Sequence, residues 1–198
     1  MRRARVVVVR HGETDWNVAG RMQGHTDTDL NERGRAQAQA LAELLVEEGI
    51  GRIIASDLAR ARQTAQIIAG RLGLAVETDA LLRERKFGIF EGLSWEEIAE
   101  RHPDWYARYR ADHWADIPGA EALTALRERS WEALVRHARH ARPGAPVLVV
   151  THGGVLRSML VRLMGDNAPR PVLNAVPYVF RLRQGQPAEV ELPKLLPP

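Results

Sequence analysis

The chain of 198 residues is 45% hydrophobic and 27% charged, an ordinary globular composition that predicts a single domain over residues 1–198 with a substantial core. It contains no cysteine, which excludes disulfides and thiolate chemistry, and it shows neither a signal peptide nor an apolar run of transmembrane length, so we expect a cytoplasmic protein. The net charge of +3 comes almost entirely from arginines scattered among glutamates, which indicates an ion-paired surface and argues against nucleic acid as a partner.

The first predicted element is a strand buried on both faces, the valine run over 6–9. The apolar pattern stops abruptly at Arg10-His11-Gly12. Open α/β sheets bind ligands at the carboxyl ends of their strands, so this strand would deliver an arginine and a histidine to a binding edge. Such a tripeptide also recurs by chance, and the prediction therefore depends on the partners that the rest of the chain supplies.

Helices and strands then alternate, which is typical of an α/β layer with a parallel sheet. The predicted elements of this half are, in chain order, a polar loop over 12–29, a helix over 31–48 capped by Asn31, a strand over 52–55, a helix over 58–69 stopped by Gly70, a strand over 74–78 and an irregular segment over 81–92.

The second half begins with a helix opened by Ser94, where Glu97 completes a capping box. The remaining predicted features are an aromatic segment with Trp105, Tyr106, Tyr109 and Trp114, a turn over 117–119, a helix over 121–141, a buried strand over 147–150, a helix over 155–164, a last strand over 178–182 and a loosely held tail. We expect a three-layer α/β fold with a mostly parallel central sheet and a helical insert at about 94–141 that forms a wall or lid.

Candidate functional residues stand where predicted strands and loops end. Arg10 and His11 follow the first strand, Arg60 begins the helix after the second, Glu84 lies in the glycine-broken loop, and His152 follows the strand over 147–150. Two imidazoles and two guanidinium groups at one sheet edge, beside a helix N-terminus, form a pocket for a dianion such as a phosphoryl group.

This set of residue types is suited to phosphoryl transfer. One histidine can attack phosphorus, because neutral imidazole is nucleophilic near pH 7, and the other can hold an equatorial oxygen in the transition state. A carboxylic acid must then protonate the leaving oxygen. Glu84 is the preferred acid, and Glu91, which lies nearby in the sequence, is the alternative.

In these segments the chain resembles the histidine phosphatase superfamily, in its branch-one or phosphoglycerate mutase-like form. The matching segments stand in the family order: Arg10-His11-Gly12-Glu13-Thr14, Trp16-Asn17, Arg21-Met22-Gln23-Gly24, Asp29-Leu30-Asn31, Gly34, Gln37-Ala38, Ser56-Asp57-Leu58, Arg60-Ala61, Gln63-Thr64-Ala65, Leu82-Arg83-Glu84, Phe87-Gly88, Glu91-Gly92 and Thr151-His152-Gly153-Gly154. Each segment alone is weak, but the ordered set is specific.

The resemblance implies that His11 becomes phosphorylated, that Arg10, Arg60 and His152 form the phosphate pocket, and that Glu84 is the proton donor. It implies neither a metal nor a cofactor.

Further phosphate or substrate contacts are implied for Asn17 and for the loop with Gln23 and Gly24, and we add Gly153 to the phosphate-binding set. Members that take their acid from the position after the second histidine have an aspartate there. Gly153 occupies that position in this chain, which leaves the role of the acid to Glu84.

Phosphatase and mutase activities both stay open at this point. The region between Glu84 and His152 lacks the tandem arginine pair of cofactor-dependent phosphoglycerate mutases, and Phe87 stands where those mutases have a tyrosine. We therefore expect a phosphomonoester hydrolase for small metabolites with an apolar or sugar-like leaving group. A 2,3-bisphosphoglycerate-dependent mutase is the alternative, and a catalytically dead phospho-ligand or partner-binding protein comes third. Many relatives pair through a sheet edge, so a homodimer is also expected.

Overall fold

The computed structural model describes residues 4–111, 117–183 and 186–193. Within these residues one sheet has the strand order β3-β2-β4-β1-β5-β6. Its strands are β1 (Arg5–Arg10), β2 (Arg52–Ala55), β3 (Val76–Thr78), β4 (Val147–Thr151), β5 (Pro177–Arg183) and β6 (Gln186–Glu191). The first four strands are parallel, and β5 and β6 add an antiparallel pair at one side. The predicted α/β fold with a mostly parallel central sheet is confirmed.

Helices cover both faces of this sheet. The α-helices of the described residues are α1 (Asp15–Val18), α2 (Glu32–Leu45), α3 (Ala59–Leu72), α4 (Trp95–Arg101), α5 (Pro103–Ala111), α6 (Leu123–Ala138) and α7 (Gly153–Met164). Val7 and Val9 of β1 pack with α2 and α3, whereas Val6 and Val8 pack with α6 and α7. This alternation explains why β1 is a continuous valine run. None of the described helices is long and apolar enough to cross a membrane.

Two sequence predictions are wrong in detail. Helix α3 continues through Gly70 and ends at Gly73, which has φ +68°. A glycine inside a helix costs only about 1 kcal/mol, which the packing of α3 on the sheet offsets. The tail expected to be loosely held contains β6, which pairs with β5 and extends the sheet.

The aromatic segment has a small core of its own. Phe90, Ile98 and Ile117 are buried there, and the partly buried rings of Trp105 and Tyr109 pack against them. Helices α4 and α5 belong to this cluster, whereas α6 lies in the layer with α7 on the sheet. The predicted aromatic residue Trp114 lies outside the described residues.

Candidate active site

The site lies where β1 and β4 end side by side. The two strands are parallel, and Arg10 is in register with Thr151. His11 and His152, the next residues of each strand, therefore emerge at the same edge of the sheet. Their rings are 5.2 Å apart between centroids, and both are buried. The strand register thus brings together the two histidines predicted from the sequence.

The His11 ring is held so that one nitrogen stays available. His11 Nδ1 lies 2.7 Å from the carbonyl oxygen of Gly12. Because a carbonyl only accepts, Nδ1 carries the proton and Nε2 presents its lone pair. Burial lowers the pKa of His11 well below its ordinary value, and the charges of Arg10 and Arg60 lower that pKa further. His11 is therefore a neutral imidazole with a free nucleophilic nitrogen at neutral pH.

His152 is fixed through the ring nitrogen that faces Ser56. His152 Nε2 lies 2.8 Å from Ser56 Oγ, and its buried Nδ1 has no hydrogen-bond partner among the described residues. Burial is the largest cause that lowers the His152 pKa well below its ordinary value, followed by the charge of Arg60. A buried polar atom without a partner is costly, so His152 Nδ1 marks a place that a polar ligand can fill.

Arg60 is fully buried at the start of α3. Its Nη1 donates to Thr26 O at 3.0 Å and its Nη2 to Gly24 O at 2.8 Å, while its Nε is buried without a partner. Burial lowers the pKa of Arg60 to about 10, so the guanidinium remains positive at neutral pH. Arg60 thus holds the loop that contains Gly24 and also keeps one donor for a ligand.

Arg10 leaves a second guanidinium donor unpaired. Its Nη1 donates to Val172 O at 2.9 Å, and its Nε is buried without a partner. Gly153 lies beside it, because a Cβ added at Gly153 would be 3.5 Å from Arg10 Nε. Burial lowers the pKa of Arg10 as well. Three of the five unpartnered buried polar atoms in the described part of the chain are therefore Arg10 Nε, Arg60 Nε and His152 Nδ1.

The carboxylate of Glu84 is placed by two backbone donors. Its Oε1 accepts from Arg85 N at 2.8 Å, and its Oε2 accepts from Gly154 N, in the first turn of α7, at 3.0 Å. The negative charge of Glu84 raises the pKa values of both Arg10 and Arg60 against the effect of burial. Glu84 thus interacts electrostatically with both guanidinium groups, and its carboxyl can exchange a proton there.

Glu91, the alternative acid, has a structural role. Its carboxylate accepts N–H donors from His25 and Thr26, each at 3.2 Å, and from Phe87 at 2.9 Å. A Cβ added at Gly24 would overlap the same carboxylate, which shows how closely this loop packs on it. These bonds use the Glu91 carboxylate as an acceptor that joins two loops, whereas the charge of Glu84 acts on both Arg10 and Arg60.

Asn17 and Gln23 are each held by a contact with a nearby residue of the chain. Asn17 Oδ1 accepts from Thr14 N at 3.2 Å in the cap of α1, and buried Gln23 accepts from Thr28 Oγ1 at 2.7 Å. Among the hydrogen bonds of the described residues, neither side chain is joined to the histidines or to Arg10 and Arg60. The structure therefore places Gly24 against Arg60 but leaves Asn17 and Gln23 outside this bonded cluster.

Two supporting hydroxyl groups had no role in the sequence interpretation. Ser56 orients His152, as described above, and Thr64 joins the end of β1 to α3. Thr64 Oγ1 accepts from Gly12 N at 3.0 Å and donates to Arg60 O at 2.7 Å. Both residues lie inside motifs that resemble those of the family, and both side chains are fully buried although they are polar. That combination of polarity with an apolar local pattern is the only signal that could have indicated them.

Comparison with known proteins identifies the family to which this site belongs. The sequence model of the histidine phosphatase superfamily (branch 1) matches residues 6–191. The chain belongs to this superfamily. It is 44% identical over 187 residues to phosphoglycerate mutase-like protein 4 of Arabidopsis thaliana, covering 92% of this chain and 81% of that protein. It is 42% identical over 182 residues to the metal-independent phosphoserine phosphatase of the same plant, covering 90% and 76%.

Solved structures of histidine phosphatase relatives share the fold. A mycobacterial glucosyl-3-phosphoglycerate phosphatase in complex with VO3 is 31% identical, with a TM-score of 0.82 over 95% of this chain and 96% of that one. The alpha-ribazole phosphatase of Shigella flexneri is 29% identical, with a TM-score of 0.80 over 92% of each chain. The names of these relatives thus state different phosphorylated compounds.

Proposed function

We propose that this histidine phosphatase hydrolyses small phosphomonoesters through a phosphohistidine at His11. The observation that supports it most is the grouping of a free imidazole nitrogen with two buried guanidinium N–H donors, on Arg10 and Arg60, and a buried ring nitrogen of His152, none of which has a partner among the described residues. A phosphoryl group has the negative oxygens that such donors need. The positive charge of Arg10 and Arg60 favours a dianion over a neutral ligand.

The first step transfers the phosphoryl group to the enzyme. His11 Nε2 attacks phosphorus, a P–N bond forms and the bond from phosphorus to the ester oxygen breaks. Glu84, in its acid form, gives its proton to that oxygen as it leaves, so the oxygen departs as a neutral hydroxyl group of the alcohol. Arg10, Arg60 and His152 hold the other phosphoryl oxygens while charge accumulates on them.

The second step releases phosphate. Water enters where the alcohol has left, and the Glu84 carboxylate takes one of its protons. The resulting hydroxide attacks phosphorus, the P–N bond breaks and inorganic phosphate forms. His11 and the acid form of Glu84 are thereby restored, so the atoms and protons balance over the cycle.

The outer residues complete the proposed site. Gly24 keeps its loop against Arg60, and Gly153, beside Arg10, lets a phosphoryl oxygen approach the start of α7. We assign Asn17, in the short helix α1, and Gln23, in the loop after it, to substrate contact once a ligand is bound, which the resemblance of their motifs to the family supports. We also propose that no metal takes part, which the name of the metal-independent relative supports.

Two other functions remain as alternatives with distinct outcomes. A 2,3-bisphosphoglycerate-dependent phosphoglycerate mutase would pass the phosphoryl group back to an alcohol instead of to water. The name of the relative phosphoglycerate mutase-like protein 4 favours this alternative. A phospho-ligand or partner-binding protein with a dead site would keep the pocket without turnover. The presence of His11, His152, both arginines and Glu84 argues against the third reading.

One experiment separates the three functions. The protein, with a metal chelator present, receives 3-phosphoglycerate with a trace of 2,3-bisphosphoglycerate and, separately, a panel of aryl and sugar phosphates. Free phosphate and 2-phosphoglycerate are both quantified, with His11→Ala as the control. Phosphate release that the variant loses supports the phosphatase. Rapid isomerisation with little phosphate identifies a mutase, and no reaction in either assay supports a binding protein.

The remaining expectations belong to the same proposal. We place the protein in the cytoplasm as a single domain with a helical insert, acting on a small molecule and not on nucleic acid or membrane. Many of its arginines pair with carboxylates on the surface, as in Arg52 with Glu77 and Arg71 with Glu43, which supports the absence of a basic nucleic-acid face. A homodimer through a sheet edge is tested by sedimentation.

A further inference from the structure

A cavity of about 400 Å³ lies next to the proposed acid. Gly154, which lines it, donates its N–H to Glu84, and Arg85, another lining residue, donates its own N–H to the other carboxylate oxygen. The leaving oxygen of a bound monoester must lie close to Glu84 to receive a proton. A cavity whose lining residues Arg85 and Gly154 bind the Glu84 carboxylate is therefore placed to receive the alcohol attached to that oxygen.

One face of α7 forms a wall of the cavity. Gly154, Arg157, Ser158 and Val161 line it, with the spacing that places residues on one side of a helix. Arg157 is one helical turn beyond Gly154, about 4.5 Å along the axis at the rise of an α-helix. A group bound by Arg157 would thus lie several bonds away from the ester oxygen.

The cavity is positively charged. Arg85, Arg127, Arg157 and Arg170 line it, and none of its described lining residues is acidic. Neither Arg157 nor Arg170 forms an ion pair with any described carboxylate. Burial lowers the pKa of Arg157, and the charge of Arg170 is the next cause. Two guanidinium groups that repel each other beside a cavity favour a bound anion.

The rest of the lining is apolar and aromatic. Phe87, Tyr109, Leu123, Leu126 and Pro171 contribute it. Such a surface takes up the carbon body of a ligand, while a few polar groups fix its orientation. Arg157 is itself held in place, because its Nη1 donates to Pro169 O at 2.9 Å.

We propose that this cavity binds the leaving group and that Arg157 and Arg170 bind a second anionic group on it, a carboxylate or another phosphoryl group. The inference rests on the proposed phosphatase function and narrows its substrate class to monoesters of anionic alcohols. It differs from the sequence expectation of an apolar or sugar-like leaving group, because these arginines come from α7 and the segment after it and not from the aromatic insert.

Binding of non-hydrolysable phosphonates tests the inference without turnover. The probes are 4-(phosphonomethyl)benzoate, its benzamide, and 1,4-bis(phosphonomethyl)benzene, measured by titration calorimetry. We expect one or both of the probes that carry a second anionic group to bind about tenfold to a hundredfold more tightly than the amide, as charge-assisted bonds to arginine would give. Whichever anion gains more identifies the second group as carboxylate or phosphoryl.

Variants assign the gain to the two arginines. Arg170→Gln and Arg157→Gln should each reduce the preference over the amide to about threefold or less, with folding checked by thermal denaturation. Arg162→Gln is the matched control, since Arg162 also lies on α7 but stacks on Trp131, 4.8 Å from the ring centroid, and does not line the cavity.

Equal binding of all three probes to the wild-type protein would overturn the inference, as would a preference that survives in both cavity variants. Hydrolysis of 4-carbamoylphenyl phosphate, compared with His11→Ala, reports separately on the phosphatase function. Failure of that assay alone would count against the phosphatase, and failure of the binding preference alone would count against the anion-binding cavity.

Discussion

The position of Glu84 can be perturbed without touching Glu84 itself. A Cβ added at Gly154 would lie 3.2 Å from Glu84 Cδ and would overlap its Oε1. Ordinary contact with a Cβ begins at 3.4 Å, and the distance from the added Cβ to Oε1 would be about 1 Å shorter than that, so this end of the carboxyl group must move by about 1 Å in Gly154→Ala. The group that moves is the end of a long side chain, so the fold can accept the change.

A displacement of about 1 Å is enough to lower kcat about 100-fold, which corresponds to about 2.7 kcal/mol of transition-state stabilisation. Alanine in place of glycine within α7 should meanwhile add about 0.5–1 kcal/mol to the free energy of unfolding. Gly154→Ala should therefore fold normally and turn over slowly. The loss should be large for alkyl phosphates and small for p-nitrophenyl phosphate, whose leaving oxygen needs little protonation.

The assay compares kcat for glycerol phosphate and p-nitrophenyl phosphate, together with the melting temperature. Gly70→Ala is the matched control, because Gly70 is also helical, a Cβ there meets nothing within 4 Å, and it lies outside the site. It should gain stability and keep its activity. If Gly154→Ala hydrolyses the alkyl ester as fast as the wild-type protein does, Glu84 is not the acid in the position seen here.

Three further predictions concern the groups around the histidines. Ser56→Ala removes the hydroxyl that holds His152 and should lower kcat/KM about tenfold, whereas steady-state kinetics within about twofold of wild type would contradict that role. Glu91→Gln places an amide among N–H donors, so it should lower the melting temperature and raise KM. Glu84→Gln should instead lower mainly kcat. The opposite pattern would make Glu91 the acid. Burial lowers the pKa values of His11 and His152 in the folded protein, so below about pH 6.5 the unfolded chain binds more protons than the folded one. The free energy of unfolding, measured by urea denaturation, should therefore fall below that pH by up to about 1.4 kcal/mol per pH unit for each histidine. A stability that is flat down to pH 5 would show that these imidazoles are not buried in the neutral form.

The edge of the sheet that holds the site could be predicted because local patterns determine it. The valine run of β1 and the apolar run of β4 are strong strand signals, and each ends where a charged or imidazole side chain begins. Parallel strands present these ends together, so His11 and His152 could be paired across 141 positions of sequence (152 − 11). The capping box of Ser94 and Glu97 follows from an equally local rule.

The cavity beyond the acid could not be predicted in the same way. Arg157 and Arg170 meet there only because α7 packs on the sheet and the chain after it returns past its side. In the sequence each is one arginine among many, and no local pattern pairs the two. Similarly, the bond from His152 to Ser56 joins residues that no local periodicity relates. Such contacts depend on tertiary packing, which single-sequence patterns do not specify.

The charges around His11 serve both halves of the proposed reaction. Burial lowers the pKa of His11 most, and the charges of Arg10 and Arg60 lower it further, which keeps the lone pair of Nε2 available for attack. Once the P–N bond has formed, the same two guanidinium groups lie beside the negative oxygens of the phosphoryl group. A pocket that lacked them would protonate its nucleophile more readily and bind its product less well. In the proposed reaction, pre-formed positive charge thus adds to burial in keeping His11 neutral before the attack and stabilises the phosphoryl group after it.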